Sequence, residues 1–187
     1  MSTSDSSGES IRLSRLRDSE TAVRRTAERE LFERFQSPIE RMLRRLLGHD
    51  TDDCVQEVFI DVFRGLQAFE GRSRLSTWVY RVALRRGWKC LAERRRREKR
   101  TADDGLVEHV PAPGETVEAQ LETSELAQRF EQALDRLDLD QRTVMALSAI
   151  DGLGPPEIAD VLGVPVGTVH SRLHRARNRM RELLGLT

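Results

Sequence analysis

The segment EIADVLGVPVGTVHSRLHRARNRM, from Glu157 to Met180, concentrates the side chains best suited to reading a nucleic acid. Its second half carries Thr168, His170, Ser171, Arg172, His174, Arg175 and Asn178, whose hydroxyl, imidazole, guanidinium and amide groups can bond base edges and phosphates in a major groove. At 3.6 residues per turn Val166, Val169, Leu173, Ala176 and Met180 share one side. That side is assigned to a core, which leaves Gly167, Ser171, His174 and Asn178 opposite it. A break at Gly163, with Pro165 suited to a first helical turn, gives the spacing of a helix-turn-helix. A basic helix face is most often a solvated surface. Here the break, the small Gly167 and an acid-free face coincide, so DNA contact is the better reading. His170 and His174 stand at i, i+4, yet HSRLH lacks a carboxylate in the general-base position and two imidazoles leave a metal short of ligands, so no metal is expected. His49 and His109, at a helix end and in a linker, are assigned no role.

Charge is segregated elsewhere as well. From Arg72 to Arg100, twelve Lys and Arg stand against only Glu93 and Glu98, a density able to hold a polyanion. Thr101 to Gln128 reverses this with seven acids and no Lys or Arg. Asp50, Asp52, Asp53, Glu57 and Asp61 form a smaller acidic block that suits a basic partner. The 187 residues hold 31 Lys+Arg and 31 Asp+Glu, so a formal net charge of zero is a cancellation of blocks and does not exclude a nucleic-acid partner.

With 38% hydrophobic residues the chain can build one medium domain or two small ones. No run approaches the roughly 18 apolar residues of a membrane span, and MSTSDSSGES has no apolar signal core. A soluble, cytoplasmic protein without membrane insertion is expected. Cys54 and Cys90 are too few for a disulfide framework, and no Cys/His run has zinc spacing. Because no nucleophile, base or phosphate loop converges, neither an enzyme activity, a small-molecule substrate nor a cofactor is expected.

The elements that must position these groups read as all-α, in two small helical domains joined by a flexible acidic linker, the C-terminal one a helix-turn-helix. Helices are expected over Thr21 to Gln36 and Ile39 to Leu47, divided at Ser37-Pro38, then over Thr51 to Ala68 and Ser73 to Arg97. Four more follow over Ala119 to Leu137, Asp140 to Ile150, Pro155 to Leu162 and Val166 to Leu184. The apolar series Cys54, Val55, Val58, Phe59, Val62, Phe63 and Leu66 marks the buried side of the third helix. Trp88, at i, i+4, i+7 with Leu84 and Leu91, is read as core packing. Residues 1–20 form a tail, 21–100 the first domain, 101–118 the linker with Pro111, Pro113, Gly105 and Gly114, and 119–187 the second domain.

Two stretches, DTDDCVQEVFIDVFRGLQAFEGRSRLSTWVYRVA from Asp50 and LDLDQRTVMALSAIDGLGPPEIADVLGVPVGTVHSRLHRARNRMRELL from Leu137, together resemble a bacterial RNA polymerase sigma factor of the extracytoplasmic-function group. The resemblance implies a region 2 that binds the beta-prime clamp helices and opens the minus-10 promoter element, and a region 4 that reads the minus-35 element. It also implies the beta flap and an anti-sigma factor as further partners. Asp52, Asp53, Gln56 and Glu57 match the family's D-D-x-x-Q-E pattern, and Asp61 prolongs this carboxylate edge toward core polymerase. In FEGRSRLSTWVY the resemblance places Phe69, Ser73, Trp78 and Tyr80 around an unstacked minus-10 base, with Arg72, Arg74, Arg81, Arg85 and Lys89 toward phosphates. Trp78 reads equally as a stacking group or a core tryptophan. Arg85 and Lys89 replace residues that relatives often carry as Asn and Asp, Gly154-Pro155-Pro156 departs before the Glu-Ile-Ala motif, and His170 stands where many relatives have Lys or Arg. The family's base preferences are therefore not transferred. In the family such a linker threads polymerase surfaces that normally hold nucleic acid; the acidic linker reads equally as a solubilising, disordered spacer, and it can also fold back on the Arg-rich end of the first domain. Neutralising Asp103, Asp104, Glu108, Glu115 and Glu118 together is expected to raise the DNA affinity of the free protein in a fluorescence-anisotropy titration; an unchanged affinity removes that fold-back contact.

Overall fold

The computed structural model describes residues 21–48, 51–103, 128–150 and 152–186, which form helices joined by turns and short irregular links, with no strand among the described residues. The helices are α1 (Thr21–Leu47), α2 (Asp52–Gly65), α3 (Leu75–Asp103), α4 (128–135), α5 (Leu139–Leu147), α6 (Pro155–Leu162) and α7 (Val166–Leu184). A short 3-10 turn, Leu66–Ala68, follows α2. The expected tail, His49, Asp50, His109 and most of the linker lie outside the described residues.

The expected division at Ser37-Pro38 does not occur: α1 runs through Pro38. A proline inside a helix forfeits one backbone hydrogen bond and crowds the preceding turn. The apolar register explains its retention here, because Leu31, Phe35, Ile39, Met42, Leu43 and Leu46 stay on one buried face only if the helix continues. Each such burial contributes about 1.5–3 kcal/mol. Arg41 also donates through Nη1 to Ser37 Oγ at 2.8 Å, bracing the turn around the proline. The third expected helix closes in its 3-10 turn as its range implies, whereas α3 extends past Arg97 to Asp103, so the first residues of the expected linker are helical.

Helices α2 and α3 pack on each other and on α1, while α5 and α6 pack on α7. The two groups also meet, α1 against α5 and α3 against α6. One hydrophobic cluster therefore runs from Ala27 and Leu31 through Val58 and Leu84 to Val144, Ile158 and Val169. A smaller cluster joins Ala133, Leu134 and Leu137 to Ala176 and Met180.

In the helix-turn-helix the break at Gly163 has φ 68°, a left-handed conformation that glycine adopts without a Cβ penalty, and its N–H caps Ala159 O at 2.8 Å. Pro155 and Pro156 occupy the first turn of α6, where missing N–H groups cost nothing, and the Gly154 N–H donates to Glu157 Oε2 at 3.1 Å. Val169, Leu173, Ala176 and Met180 are buried as their spacing requires, but Val166 is 38% exposed because it opens α7 before the helix reaches the core.

At Gly87 α3 lies tight against α1: an added Cβ would lie 2.8 Å from both Leu43 Cδ2 and Leu46 Cδ2, and both leucines are fully buried. Alanine is the better helix former by about 1 kcal/mol, but overpacking costs about 1–3 kcal/mol. Gly87→Ala is thus expected to lower stability, by up to about 2 kcal/mol, in a urea unfolding series. A stabilised variant would show that the helices separate freely there.

Candidate nucleic-acid and polymerase interfaces

The acidic edge belongs to α2. Asp52, Asp53, Gln56 and Glu57 are exposed, and Ile60, also on the surface at 47%, continues their line at i+3 and i+4 spacing. Phe32 of α1 is 36% exposed and packs on Phe59 at 4.6 Å, so an apolar patch adjoins the acids. Sequence reasoning missed Ile60 and Phe32; the signal available was that Ile60 falls off the buried stripe of α2.

The edge is not wholly free for a partner. Arg86 of α3 donates from Nε to Asp61 Oδ2 at 2.8 Å and from Nη1 to Glu57 Oε2 at 3.1 Å, and a second nitrogen, Nη2, also pairs with Asp61. Arg86 is only 18% exposed, so these charge-assisted bonds clamp α2 to α3. Its pKa is raised, first by the hydrogen bond it donates to Asp61 and against the effect of burial. Asp61 is therefore an internal ion-pair partner, and the outward carboxylates are Asp52, Asp53 and, in part, Glu57.

Beside this clamp the C-terminal end of α2 and the middle of α3 enclose a cleft of about 730 Å³, lined by Trp78, Arg81, Arg85 and Lys89 among others. Trp78 is half-buried, its ring 5.1 Å from Phe69, and it presses on Gly65, where a Cβ would lie 2.9 Å from its ring. It forms the cleft wall while resting on the core. The structure corrects two members of the expected base pocket. Phe69 is 5% exposed beneath Trp78, and Tyr80 is 6% exposed with its ring edge-on to Phe35 at 5.6 Å. Burial pushes the Tyr80 hydroxyl up to about 12. Both are core groups because their positions fall on the inner side of the turn and of α3. Ser73 is half-buried, while Arg72, Arg74, Arg85 and Lys89 are exposed; Arg72 pairs with Glu70, and Lys89 lies 3.9 Å from Glu93.

Trp88 is corrected in the other direction. It is 40% exposed, and its Nε1–H donates to Thr143 Oγ1 of α5 at 3.3 Å, while Leu84 and Leu91 are buried as expected. A tryptophan at core spacing thus stands where the two helical groups meet. Cys54 is buried and Cys90 half-buried across the α2–α3 contact; burial, followed by contact with Cys90, pushes the Cys54 thiol up, which makes it unreactive.

On α7, His170, Ser171, His174 and Arg175 are exposed and form the outward face. Thr168 and Asn178 are half-buried. Ser171 Oγ donates to Thr168 O at 3.0 Å, Arg175 Nε to Ser171 O at 3.3 Å, and Asn178 Nδ2 stands 3.0 Å from His174 Nε2. Arg172 departs from the expected DNA set: it turns toward α5 and pairs with Asp140 at 2.5 Å, with 22% of its side chain exposed. No described group of three or more His, Cys, Asp or Glu has a metal-binding arrangement.

A helix-turn-helix with a polar outward face, docked on a helical domain that carries an acid edge and a basic cleft, defines a DNA-binding protein of the transcription machinery. Family models match in the same order, sigma-70 region 2 over residues 31–101 and sigma-70 region 4 over residues 127–180. The ECF RNA polymerase sigma-E factor of Haemophilus influenzae is 33% identical over 154 residues, covering 79% of this chain and 82% of that one. The ECF RNA polymerase sigma factor SigW of Bacillus subtilis is 30% identical over 167 residues, covering 83% and 87%. Among solved structures, the sigma factor RpoE in complex with the anti-sigma factor NepR from Bartonella quintana aligns with a TM-score of 0.60 at 26% identity, covering 84% of this chain and 96% of that one. CnrH in complex with the cytosolic domain of CnrY aligns with a TM-score of 0.62 at 25% identity, covering 87% and 90%. The chain belongs to the ECF RNA polymerase sigma factors, initiation factors that direct core RNA polymerase to promoters. No described helix is long and apolar enough to cross a membrane.

The two arginines of α7 should separate in a binding assay. Arg175→Ala is expected to weaken minus-35 binding by about 1–3 kcal/mol, whereas Arg172→Ala, which breaks a pair with Asp140, should change thermal stability more than DNA affinity. Equal affinity losses would return Arg172 to the DNA face.

Proposed function

We propose the following division of labour. Region 2, within residues 21–100, docks core polymerase through Asp52, Asp53, Gln56 and Glu57 of α2, with Ile60 and Phe32 as the apolar centre of the contact. The basic cleft beside Trp78 receives the minus-10 strand, with Arg72, Arg74, Arg81, Arg85 and Lys89 on its phosphates. Region 4, within residues 119–187, reads the minus-35 element with His170, Ser171, His174 and Arg175, aided by Thr168 and Asn178. The observation that carries this reading is that the exposed faces of α2, α3 and α7 hold the chemistry each task needs, within two region matches in the family's order.

Strand opening without nucleotide hydrolysis requires tighter binding to the open form than to the closed one. Base stacking contributes about 1–3 kcal/mol per base, comparable to the cost of unpairing, so Trp78 at a basic cleft can tip the balance once polymerase holds the promoter. The factor performs no catalysis of its own, and it works in the cytoplasm with polymerase. An anti-sigma partner fits the same reading, because both solved relatives are complexes, one with the anti-sigma factor NepR and one with CnrY. A helix-turn-helix regulator that never joins polymerase would leave the acid and apolar strip of α2 without a use.

Reconstituted transcription is the test. Core polymerase plus this protein should yield a promoter-dependent transcript, and Glu57→Lys should weaken polymerase co-elution about tenfold or more while leaving minus-35 duplex binding within twofold. Failure of the wild-type chain to bind core polymerase overturns the reading.

A further inference from the structure

The contact of α2 with α3 has a readable register. Gly65 faces Trp78, Asp61 and Glu57 both meet Arg86, and the positions step back along α2 as they step forward along α3. One turn before Glu57 on α2 is Cys54, and one turn after Arg86 on α3 is Cys90, so the next pair in line is the two cysteines of the chain. Cys54 is 4% exposed inside the hydrophobic cluster, and the half-buried Cys90 packs against the same cluster. The two side chains are in hydrogen-bond contact, and the Arg86 guanidinium interacts with Cys90 as well as with its two carboxylates.

We propose that Cys54 and Cys90 form a modification site for hydroperoxides, which close the pair into a disulfide that staples α2 to α3. Cys90 is the entry point, because it is the more exposed of the two and a thiolate formed there lies beside the charge of Arg86. That thiolate attacks the O–O bond of the peroxide and takes its terminal hydroxyl; the bond breaks, and the other oxygen leaves and picks up the proton that Cys90 released, as alcohol or water. The Cys54 sulfur then attacks the Cys90 sulfenic acid. The S–S bond forms, the S–O bond breaks, and the departing hydroxide takes the Cys54 proton as water. Together the two sulfurs give up the two electrons that reduce the peroxide. Burial pushes the Cys54 thiol up and keeps it inert toward solvent, but its partner is already in contact, so proximity replaces concentration in the second step.

The staple acts on a weakly held end. Thr51 caps α2 without a side-chain hydrogen bond, so the first turn, which carries Asp52 and Asp53, lacks that restraint. A disulfide at Cys54 fixes the turn to α3 and closes a loop of about 36 residues in the unfolded chain. A reducing compartment keeps such a pair open, so closure requires excess oxidant.

Full-length chain treated natively with hydrogen peroxide, then alkylated and digested, is expected to yield a peptide linked through Cys54 and Cys90 by mass spectrometry. The treated chain should remain a monomer and melt about 5 °C or more higher, and dithiothreitol should reverse both the link and the shift. In Cys90→Ser, Cys54 should survive the same treatment as a free thiol. Survival of both thiols in treated wild-type chain overturns the proposal, as does over-oxidation of Cys90 without a link, or a link that joins two chains. Oxidation of Cys54 in folded Cys90→Ser also overturns it, by removing Cys90 as the entry point. The wild-type measurement decides the matter even if that variant fails to fold.

Discussion

Burial of a single apolar stripe on α1 is the constraint from which the other elements take their places. Leu31, Phe35, Ile39, Met42, Leu43 and Leu46 are sealed along one side of a 27-residue helix, and α2, α3 and α5 all pack against it. The stripe is continuous enough to hold the helix together through Pro38. It also sets how near α3 can lie, since Gly87 leaves no room for a side chain against Leu43 and Leu46. With α3 fixed at that distance, Trp78 reaches across to Gly65 and the basic cleft takes its form.

Arginine does two different jobs on this scaffold. Arg86, Arg142 and Arg172 are internal fasteners, each with a carboxylate partner and little exposure. Arg72, Arg74, Arg85 and Arg175 are exposed. Guanidinium suits the first job because its planar fork bonds two acceptors at once and keeps its charge when desolvated. The density of basic residues therefore overstates the area available to nucleic acid, just as zero net charge understates it.

Much of this organisation was legible in the chain itself. The ranges of α6 and α7 and the turn at Gly163 follow from glycine, proline and 3.6-residue spacing, and those signals are local. What failed was non-local. Tyr80 faces inward onto Phe35, some 45 positions earlier, and Phe69, though its partner Trp78 is near in sequence, is buried only once the turn packs on α2 and α3. Trp88 carried the spacing of a core residue, yet its neighbour is Thr143, on a helix beyond the linker. Pro38 read as a divider because the proline signal is strong, whereas the stripe that overrides it is visible only over the full length of α1. The acidic edge is legible in composition, but its division into outward groups and an internal partner depends on Arg86, in another helix.

The pairing of Arg142 with Asp135 gives the contact between regions a particular energetic character. Both residues belong to region 4, and the acceptor they meet on region 2 is a backbone carbonyl at a helix end. Because the ion pair lies within one region, its two charges neutralise each other whether or not the carbonyl of the other region is in contact, so neither depends on the contact for a counter-charge. Arg81 likewise meets main-chain oxygens across the contact, those of Asp160 and Val161, and not a carboxylate. Such a seam is specific in register, because its acceptors are main-chain oxygens fixed at the ends of helices, and it asks no side-chain charge of one region to be completed by the other.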